Sequence, residues 1–423
     1  MPDPRVDELA ATSGLSARRQ RVLAPTYRLF YEEPVHLVRA EGVWMYDAQG
    51  RAYLDAYNNV PVVGHCHPYV VEVLARQART LNTHTRYLTE EPVELAERLL
   101  ATLPAEIGNV TFTCTGSDAN DLAVRVSKAA TGGTGFIVTD FAYHGTTETI
   151  AAMSPSTGVD LGPGIYKVPA PVGPGATAEF GARVRRCIDL MRAANIRPAG
   201  LLVDTIFSSD GIVSHPEGFL ADAVKEIRAA GGLFIADEVQ PGFGRSGDRM
   251  WGFQRHGVSP DLVTMGKPMG NGHPVAAMAA RPEVLAEFAK QTRYFNTFGG
   301  NSVSCAVALA VLDVIEKENL TENARHTGQY LQLGLRTLTE RYDWVKEVRG
   351  AGLFLGVEIG ANPTTKLNSR NEAARIINGL RREGVLIGSA GRNADVLKIR
   401  PPLPFGRAEA DLLLDKLDRV LRA

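Results

Sequence analysis

The sequence predicts an α/β protein with a large domain, whose mostly parallel sheet is covered by helices, and a smaller α+β domain. Three observations lead there. Between residues 109 and 280, short apolar runs such as "NVTFTC", "GFIVTD", "AGLLVDTIF", "GLFIADEV", "DLVTMG" and "PVAAMAA" recur, several separated by helical stretches such as "ANDLAVRVSKAA" and "LADAVKEIRAAG". Strands alternating with helices imply parallel pairing with both faces covered. A chain of 423 residues is also long enough for a large core and two domains. Finally, the tail from residue 345 mixes single strands and helices.

The expected division is an N-terminal arm and small-domain hairpin over 1–65, a large domain over 66–320 and a C-terminal small domain over 321–423. In the first segment, "EEPVHLVRAEG" reads as an irregular or edge strand. "GVWMYDAQGRAYLDAYN" alternates around Asp47-Ala48-Gln49-Gly50, a hairpin signal. "HPYVVEVLARQARTL" has helical spacing, with Pro68 at a first helical position. "PVELAERLLATLP" is a second helix. After the alternating region, "SVSCAVALAVLDVIEKENL" opens a helical stretch to about Tyr342. "VKEVRGAGLFLGVEI" is a strand pair broken by glycine. "EAARIINGLRREG", "VLKIRPPLPF" and "AEADLLLDKLDRVL" close the chain as helix, strand and helix.

Composition removes several classes of function. Hydrophobic residues make up 44% and charged residues 22%, as in ordinary globular enzymes. A net charge of −1 and a pI near 6.8 give no electrostatic footprint for nucleic acid or an acidic membrane. Aromatic content of 7% argues against a base-stacking surface. No apolar run reaches the roughly 20 residues that span a bilayer. The four cysteines, Cys66, Cys114, Cys187 and Cys305, form no C-x-x-C pair. With an N-terminus that lacks a secretory apolar core, they suggest a reducing, cytoplasmic setting.

The chemistry gathers around one lysine. In "LVTMGKPMGNGHP", Lys267 follows an apolar run and precedes a glycine-rich turn. Ligands of open parallel sheets bind at the carboxyl ends of strands. "GGLFIADEVQ" ends on Asp237 and Glu238, and Lys267 lies thirty residues after Asp237, so two successive units bring an acid and a lysine to one edge. The pair reads either as a functional couple or as a salt bridge capping two strands; buried ion pairs seldom add net stability. A Walker-type ATPase would need G-x-x-x-x-G-K-[ST], and Lys267 is followed by Pro268. "VTFTCTGSDANDLAVRV" runs a strand into Thr115-Gly116-Ser117-Asp118 and then a helix. That is an anion site in form, and taken alone an ordinary N-cap. "FAYHGTT" adds Tyr143 beside a histidine, a pair that by itself reads as core or rim. "GHCHP" (His65, Cys66, His67) suggests metal ligands, but adjacent residues rarely converge on one ion.

Together the pieces describe one ligand. It has a phosphate for the helix N-terminus, a carbonyl for the lysine, a basic ring nitrogen for the carboxylate and an aromatic face for Tyr143. Pyridoxal 5'-phosphate has all four. The chain resembles the class III (ω-amino) aminotransferases of the fold type I pyridoxal-phosphate enzymes over nearly its whole length. The resemblance runs through "YLDAYNNVPVVGHCHPYVVEVLARQ", "TGSDANDLAVRVSK", "AYHG", "IADEVQPGFGRSG", "GKPMGNGHPVAAM", "NTFGGNSVSCAVALAVL" and "VRGAGLFLGVEI". It implies that Lys267 is the Schiff-base lysine and that Asp237 holds the pyridine nitrogen. It implies that Val239 and Tyr143 pack on opposite ring faces and that Gln240 reaches the ring hydroxyl. Gly116 and Ser117 would hold the phosphate, and Thr297 would reach the phosphate of a neighbouring subunit. The expected assembly is a homodimer with shared active sites, a tetramer being the open alternative.

All such enzymes let the lysine take a proton from the amine-bearing carbon; reprotonation gives transamination and loss of a neighbouring leaving group gives β-elimination. Glutamate-using transaminases of the family carry an arginine three residues before a "PP" and a glutamate switch in an "EPxxGExG"-like loop. Here "VLKIRPPLPF" has Lys398 at the first position, with Arg400 two residues on, and "DTIFSSDGIV" has Ser209 at the second. A planar fork has been replaced by a point charge. The runs "AYNNVPVVGHCHPYVVEVLARQARTLNTHTRYL" and "VLKIRPPLPF" resemble a subgroup. It contains ethanolamine-phosphate and 5-phosphohydroxylysine phospho-lyases and alanine–glyoxylate aminotransferase 2-like proteins. The expectation is therefore a phospho-lyase acting on a small phosphorylated amine, ethanolamine phosphate first. The alternatives are an ω-amine or β-amino-acid:pyruvate aminotransferase and a non-catalytic cofactor-binding relative, against which the intact Lys267, Asp237 and Gln240 argue. Candidate substrate-phosphate ligands are Asn58, Arg86, Lys398 and Arg400.

Overall fold

The computed structural model describes residues 14–423. Its centre is a seven-stranded sheet of β4 (Asn109–Thr113), β5 (Gly135–Thr139), β6 (Ile165–Val168), β7 (Pro198–Asp204), β8 (Leu233–Asp237), β9 (Leu262–Met265) and β10 (Ala276–Ala280). They lie side by side in the order β4-β10-β9-β8-β7-β5-β6. The run from β9 to β6 is parallel throughout, and β10 alone pairs antiparallel, with β9 and β4. The predicted mostly parallel sheet is thus present. Every residue of β5, β9 and β10 is buried, which is why these strands read as continuous apolar runs instead of alternating ones.

The hairpin signal is also realised. β2 (Trp44–Asp47) and β3 (Ala52–Asp55) pair antiparallel, and Asp47 Oδ1 closes the turn by accepting from the N–H groups of Gln49 (3.1 Å) and Arg51 (2.8 Å). β1 (Leu37–Glu41) is the exposed edge of this sheet. Its other edge is β13 (Val385–Leu386), so the hairpin joins the C-terminal third of the chain. A third sheet orders β11 (Val345–Ala351), β12 (Phe354–Ile359), β15 (Val396–Ile399) and β14 (Gly388–Ala390) as β11-β12-β15-β14. Sequence reading missed β6, β13 and β14. β6 contains Lys167 and is only partly buried, and the other two span two and three residues, too short for a periodic signal.

Helices cover the sheet as their apolar stripes require. Pro68 begins the helix Pro68–Thr80, which buries Val70 and Val73, each side chain worth about 1.5–3 kcal/mol when removed from water. The long helical region is two helices, Ser302–Lys317 and Leu320–Arg341. They are separated at Asn319, whose left-handed φ of 51° is one that asparagine tolerates. Among the described residues, no helix is long and apolar enough to cross a membrane.

The parallel run determines where side chains can converge. β7, β8 and β9 are parallel neighbours, with Asp204 opposite Asp237 in register. The ends of β5, β7, β8 and β9 therefore open on one edge of the sheet.

Candidate active site

That edge holds a cavity of about 320 Å³. Seven of the residues expected at a cofactor site line it: Gly116, Ser117, Tyr143, Asp237, Val239, Gln240 and Lys267. Asp204, Cys114, Thr115, His144 and the turn Gly272–Val275 also line it.

The anion end is built by the helix Gly116–Thr131. Thr115 is its N-cap, and Thr115 Oγ1 accepts from the Asp118 N–H at 3.1 Å. The first-turn N–H groups of Gly116 and Ser117 have no intrahelical acceptor and lie at the positive end of the helix dipole. Glycine is required at 116, because a Cβ there would come within 2.8 Å of Val239 Cγ2. Ser117 Oγ accepts from the Thr146 N–H at 3.1 Å, which fastens the strap after β5 to the helix start.

The carboxylate end is fixed by a buried network. Asp237 Oδ2 accepts from Asn120 Nδ2 at 3.0 Å and meets His144 Nδ1 at 2.7 Å, while Oδ1 accepts from the Val239 N–H at 3.1 Å. Thr264 Oγ1 donates to Asn120 Oδ1 at 2.6 Å, and Asn120 Nδ2 also donates to the His144 carbonyl at 2.8 Å. His144, Asn120 and Asp204 were not identified from sequence. The "AYHG" run was the available signal for His144, but a Tyr-His pair alone does not say which acid it will meet.

Asp237 and Glu238 diverge, as adjacent strand residues must. Glu238 leaves the cavity and accepts from Thr205 Oγ1 (2.6 Å) and the N–H groups of Gly252 (2.7 Å) and Phe253 (2.8 Å). Burial pushes its carboxyl up to about 7 against those three bonds. A glutamine has one acceptor oxygen where two are used, so Glu238→Gln will lower stability by about 1–3 kcal/mol in urea unfolding. Because the folded-state value lies above the unfolded one, Glu238 contributes stability below pH ~4 that is lost as pH rises through about 7. The glutamine variant will lose that part of the pH slope; an unchanged midpoint and slope would contradict this geometry.

Lys267 protrudes into the cavity, accessible from its mouth and walled by protein elsewhere, with Nζ 5.9 Å from the Tyr143 ring centre. Burial lowers its pKa, Asp237 pulls it back up and Arg400 lowers it further. The result is a larger share of neutral amine, able to act as nucleophile and base.

Lys398 and Arg400 sit one residue behind the wall, on and just beyond β15. Lys398 Nζ donates to the Ser208 carbonyl (3.1 Å) and Gln240 Oε1 (3.3 Å). Arg400 Nη1 donates to the same Gln240 oxygen, and its Nε to the Tyr57 carbonyl at 3.2 Å. Both are buried, and among the described residues neither forms an ion pair with a carboxylate. Burial drives the pKa of Lys398 well down, with Arg400 acting in the same direction.

Three other expected residues lie elsewhere in the protomer. Asn58 Oδ1 accepts from the Val60 N–H at 3.1 Å and does not reach the cavity. Arg86 is exposed, its guanidinium 3.9 Å above Phe295. Thr297 lines a second cavity of about 680 Å³, which shares Cys114, His273 and Pro274 with the first. The two histidines of "GHCHP" turn to different acids, His65 to Asp55 (2.7 Å) and His67 to Glu318 (3.1 Å).

Comparison with known proteins decides the family. The class-III aminotransferase model matches residues 30–421. The chain belongs to the class III aminotransferase family. Within it, the chain is 36% identical over 428 residues to an alanine–glyoxylate aminotransferase 2-like protein of Drosophila melanogaster, covering 96% of this chain and 86% of the relative. It is 34% identical over 431 residues to ethanolamine-phosphate phospho-lyase homolog 1 of Caenorhabditis elegans, covering 96% and 92%. Among solved structures, a phospholyase from Arthrobacter in complex with phosphoethanolamine superposes with a TM-score of 0.93 at 41% identity, covering 97% of this chain and 99% of that one. Membership makes the protein a pyridoxal-phosphate-dependent enzyme of the aminotransferase and phospho-lyase type. The class III cofactor suits this donor set: amide N–H groups at a helix start, an anchored carboxylate, a tyrosine ring and a lysine amine. The missing Cβ at Gly116 lets Val239 close against the helix start.

Proposed function

We propose that the protein is a phospho-lyase that eliminates phosphate from a small phosphorylated amine, ethanolamine phosphate first. The observation that carries this reading is a pair of buried basic side chains, Lys398 and Arg400, which share Gln240 Oε1 and form no ion pair with a carboxylate among the described residues. Burial disfavours the charged form of both groups and the field of Asp204 only partly offsets it, so two such groups beside a cavity suit an anion supplied by the substrate. The loop after β7 has Ser209, not a glutamate, where a carboxylate switch would otherwise compete for them.

When bound, pyridoxal phosphate supplies an aldehyde that captures the amine and a protonated ring that withdraws electrons. Each residue of the chain then has a distinct task. Lys267 holds the cofactor at rest and, once freed, takes the proton from the amine-bearing carbon at Nζ. Asp237, held in place by Asn120 and His144, would meet the ring nitrogen. Gly116 and Ser117 would hold the cofactor phosphate, Tyr143 and Val239 would hold the ring, and Gln240 would meet its hydroxyl. Lys398 and Arg400 would neutralise the departing phosphate; Asn58 and Arg86, proposed with them as polar ligands, lie outside the cavity of their own protomer. The overall change is ethanolamine phosphate plus water to acetaldehyde, ammonia and phosphate.

The proposal includes a homodimer with Thr297 of each chain reaching into the partner's site, working in the cytoplasm. Tyr87, Leu88 and Phe298, which are 66%, 98% and 69% exposed, lie next to or within a few residues of the second cavity's wall. Phe298 lines that cavity and Tyr87 stacks on His84 of its wall, leaving exposed apolar groups that a second copy would cover. The test is the requirement for an amino acceptor. Turnover of ethanolamine phosphate will be unchanged by adding pyruvate or 2-oxoglutarate; strict dependence on either, with alanine or glutamate as product, would replace this reading with a transaminase.

A further inference from the structure

We propose that Asp210 is a positioning residue that ties the loop after β7 to the segment presenting Tyr143 and His144 to the cavity, an inference that rests on Tyr143 bracketing the cofactor ring. Asp210 follows Ser209, in the stretch where this chain departs most from a carboxylate-switch loop. It is buried, yet it turns away from Lys398 and Arg400. Its Oδ2 accepts from Thr139 Oγ1 at 2.7 Å and its Oδ1 from the Phe141 N–H at 3.1 Å. Thr139 ends β5, and Phe141 lies two residues before Tyr143. Both oxygens are thus spent on the base of the strap that carries Tyr143 and His144.

The other side of the loop grips the third sheet. The Ser209 carbonyl accepts from the Gly391 N–H at 3.0 Å, and the Gly211 carbonyl accepts from Arg349 Nη2 at 3.0 Å. The Ser208 carbonyl accepts from Lys398 at 3.1 Å. Ile212 packs with Ile206, Phe354, Ala390 and Val396. The loop therefore bridges the strap over one face of the cofactor site and the strand that carries the anion-binding cations. Its backbone is held against preference, with φ of 53° at Phe207 and 65° at Ile212, the latter an outlier for a β-branched residue. Such conformations persist only where the surroundings over-determine them, and they concentrate at functional sites. Asp210 supplies the buried anchor on the β5 side. Beside it, the half-exposed Arg392–Asp140 pair at 2.6 Å ties the strap to the segment after β14. Burial pushes the Asp210 carboxyl up to about 7 against the pull of the Thr139 bond, and Asp140 and Asp204 push in the same direction.

The test reads cofactor binding, so it stands whether or not phosphate is the leaving group. Asp210→Ala will weaken pyridoxal phosphate binding about tenfold, measured by titrating apoenzyme, and will reduce the visible circular dichroism of the bound cofactor. Asp210→Asn will bind within about twofold of the parent, since its oxygen accepts from Phe141 and its amide donates to a rotated Thr139 hydroxyl. In a Tyr143→Ala background, Asp210→Ala will weaken binding clearly less than it does in the parent, because the part of its effect that runs through Tyr143 is gone. The same loss in both backgrounds, or a lowered unfolding midpoint with unchanged binding and dichroism, would reduce Asp210 to an ordinary structural residue and overturn the proposal.

Discussion

Lys267→Ala will lower kcat by about 10⁴-fold or more and will remove the visible absorbance of lysine-bound cofactor. Proton transfer by a placed side chain contributes roughly 10²–10⁴-fold, and the covalent role of the lysine adds to it. The geometry supports both roles: the amine projects into the cavity beside Tyr143, and burial biases it toward the neutral form. Lys267→Arg will fare no better, because a guanidinium stays protonated and cannot accept the proton. Retained turnover in either variant, measured by phosphate and aldehyde release, would remove Lys267 from the chemistry.

Arg400→Met will lower kcat/KM for ethanolamine phosphate by about 10–150-fold, the value of a hydrogen bond to a charged group at roughly 1.5–3 kcal/mol. Lys398→Met will act in the same direction. Two further results distinguish an anion site from a structural pair. Unphosphorylated amines will lose much less, since they bring no charge for these cations to meet. Stability will hold or rise, because among the described residues neither basic group forms an ion pair with a carboxylate, and its removal relieves a desolvation cost. An equal loss for phosphorylated and unphosphorylated amines, or unfolding on substitution, would contradict the role given to Lys398 and Arg400.

The legible parts of this fold are those where one physical signal dominates. β8 and β9 are apolar almost to their ends, so the strand ends, and hence Asp237 and Lys267, could be placed from sequence. The helix start at Gly116 was legible because strand, glycine, hydroxyl and helix follow in order. What could not be read depends on contacts between distant segments. Nothing local says that His144 will meet Asp237, 93 residues away, or that Asp210 will turn to Thr139, 71 residues back. Nor could the sequence say that Lys398 and Arg400 form no ion pair with an acid among the described residues, since that depends on carboxylates far away in the chain. β13 was invisible for a related reason: two residues become a strand only because β3 stands beside them.

The central claim is elimination in place of transamination, and product stoichiometry tests it most directly. Purified protein with pyridoxal phosphate and ethanolamine phosphate, and no keto acid, should release phosphate and acetaldehyde in equal amounts over many turnovers. A single turnover that stalls without phosphate release, and resumes when pyruvate is added with alanine as the product, would contradict the account. It would assign the site to an amine:pyruvate transaminase.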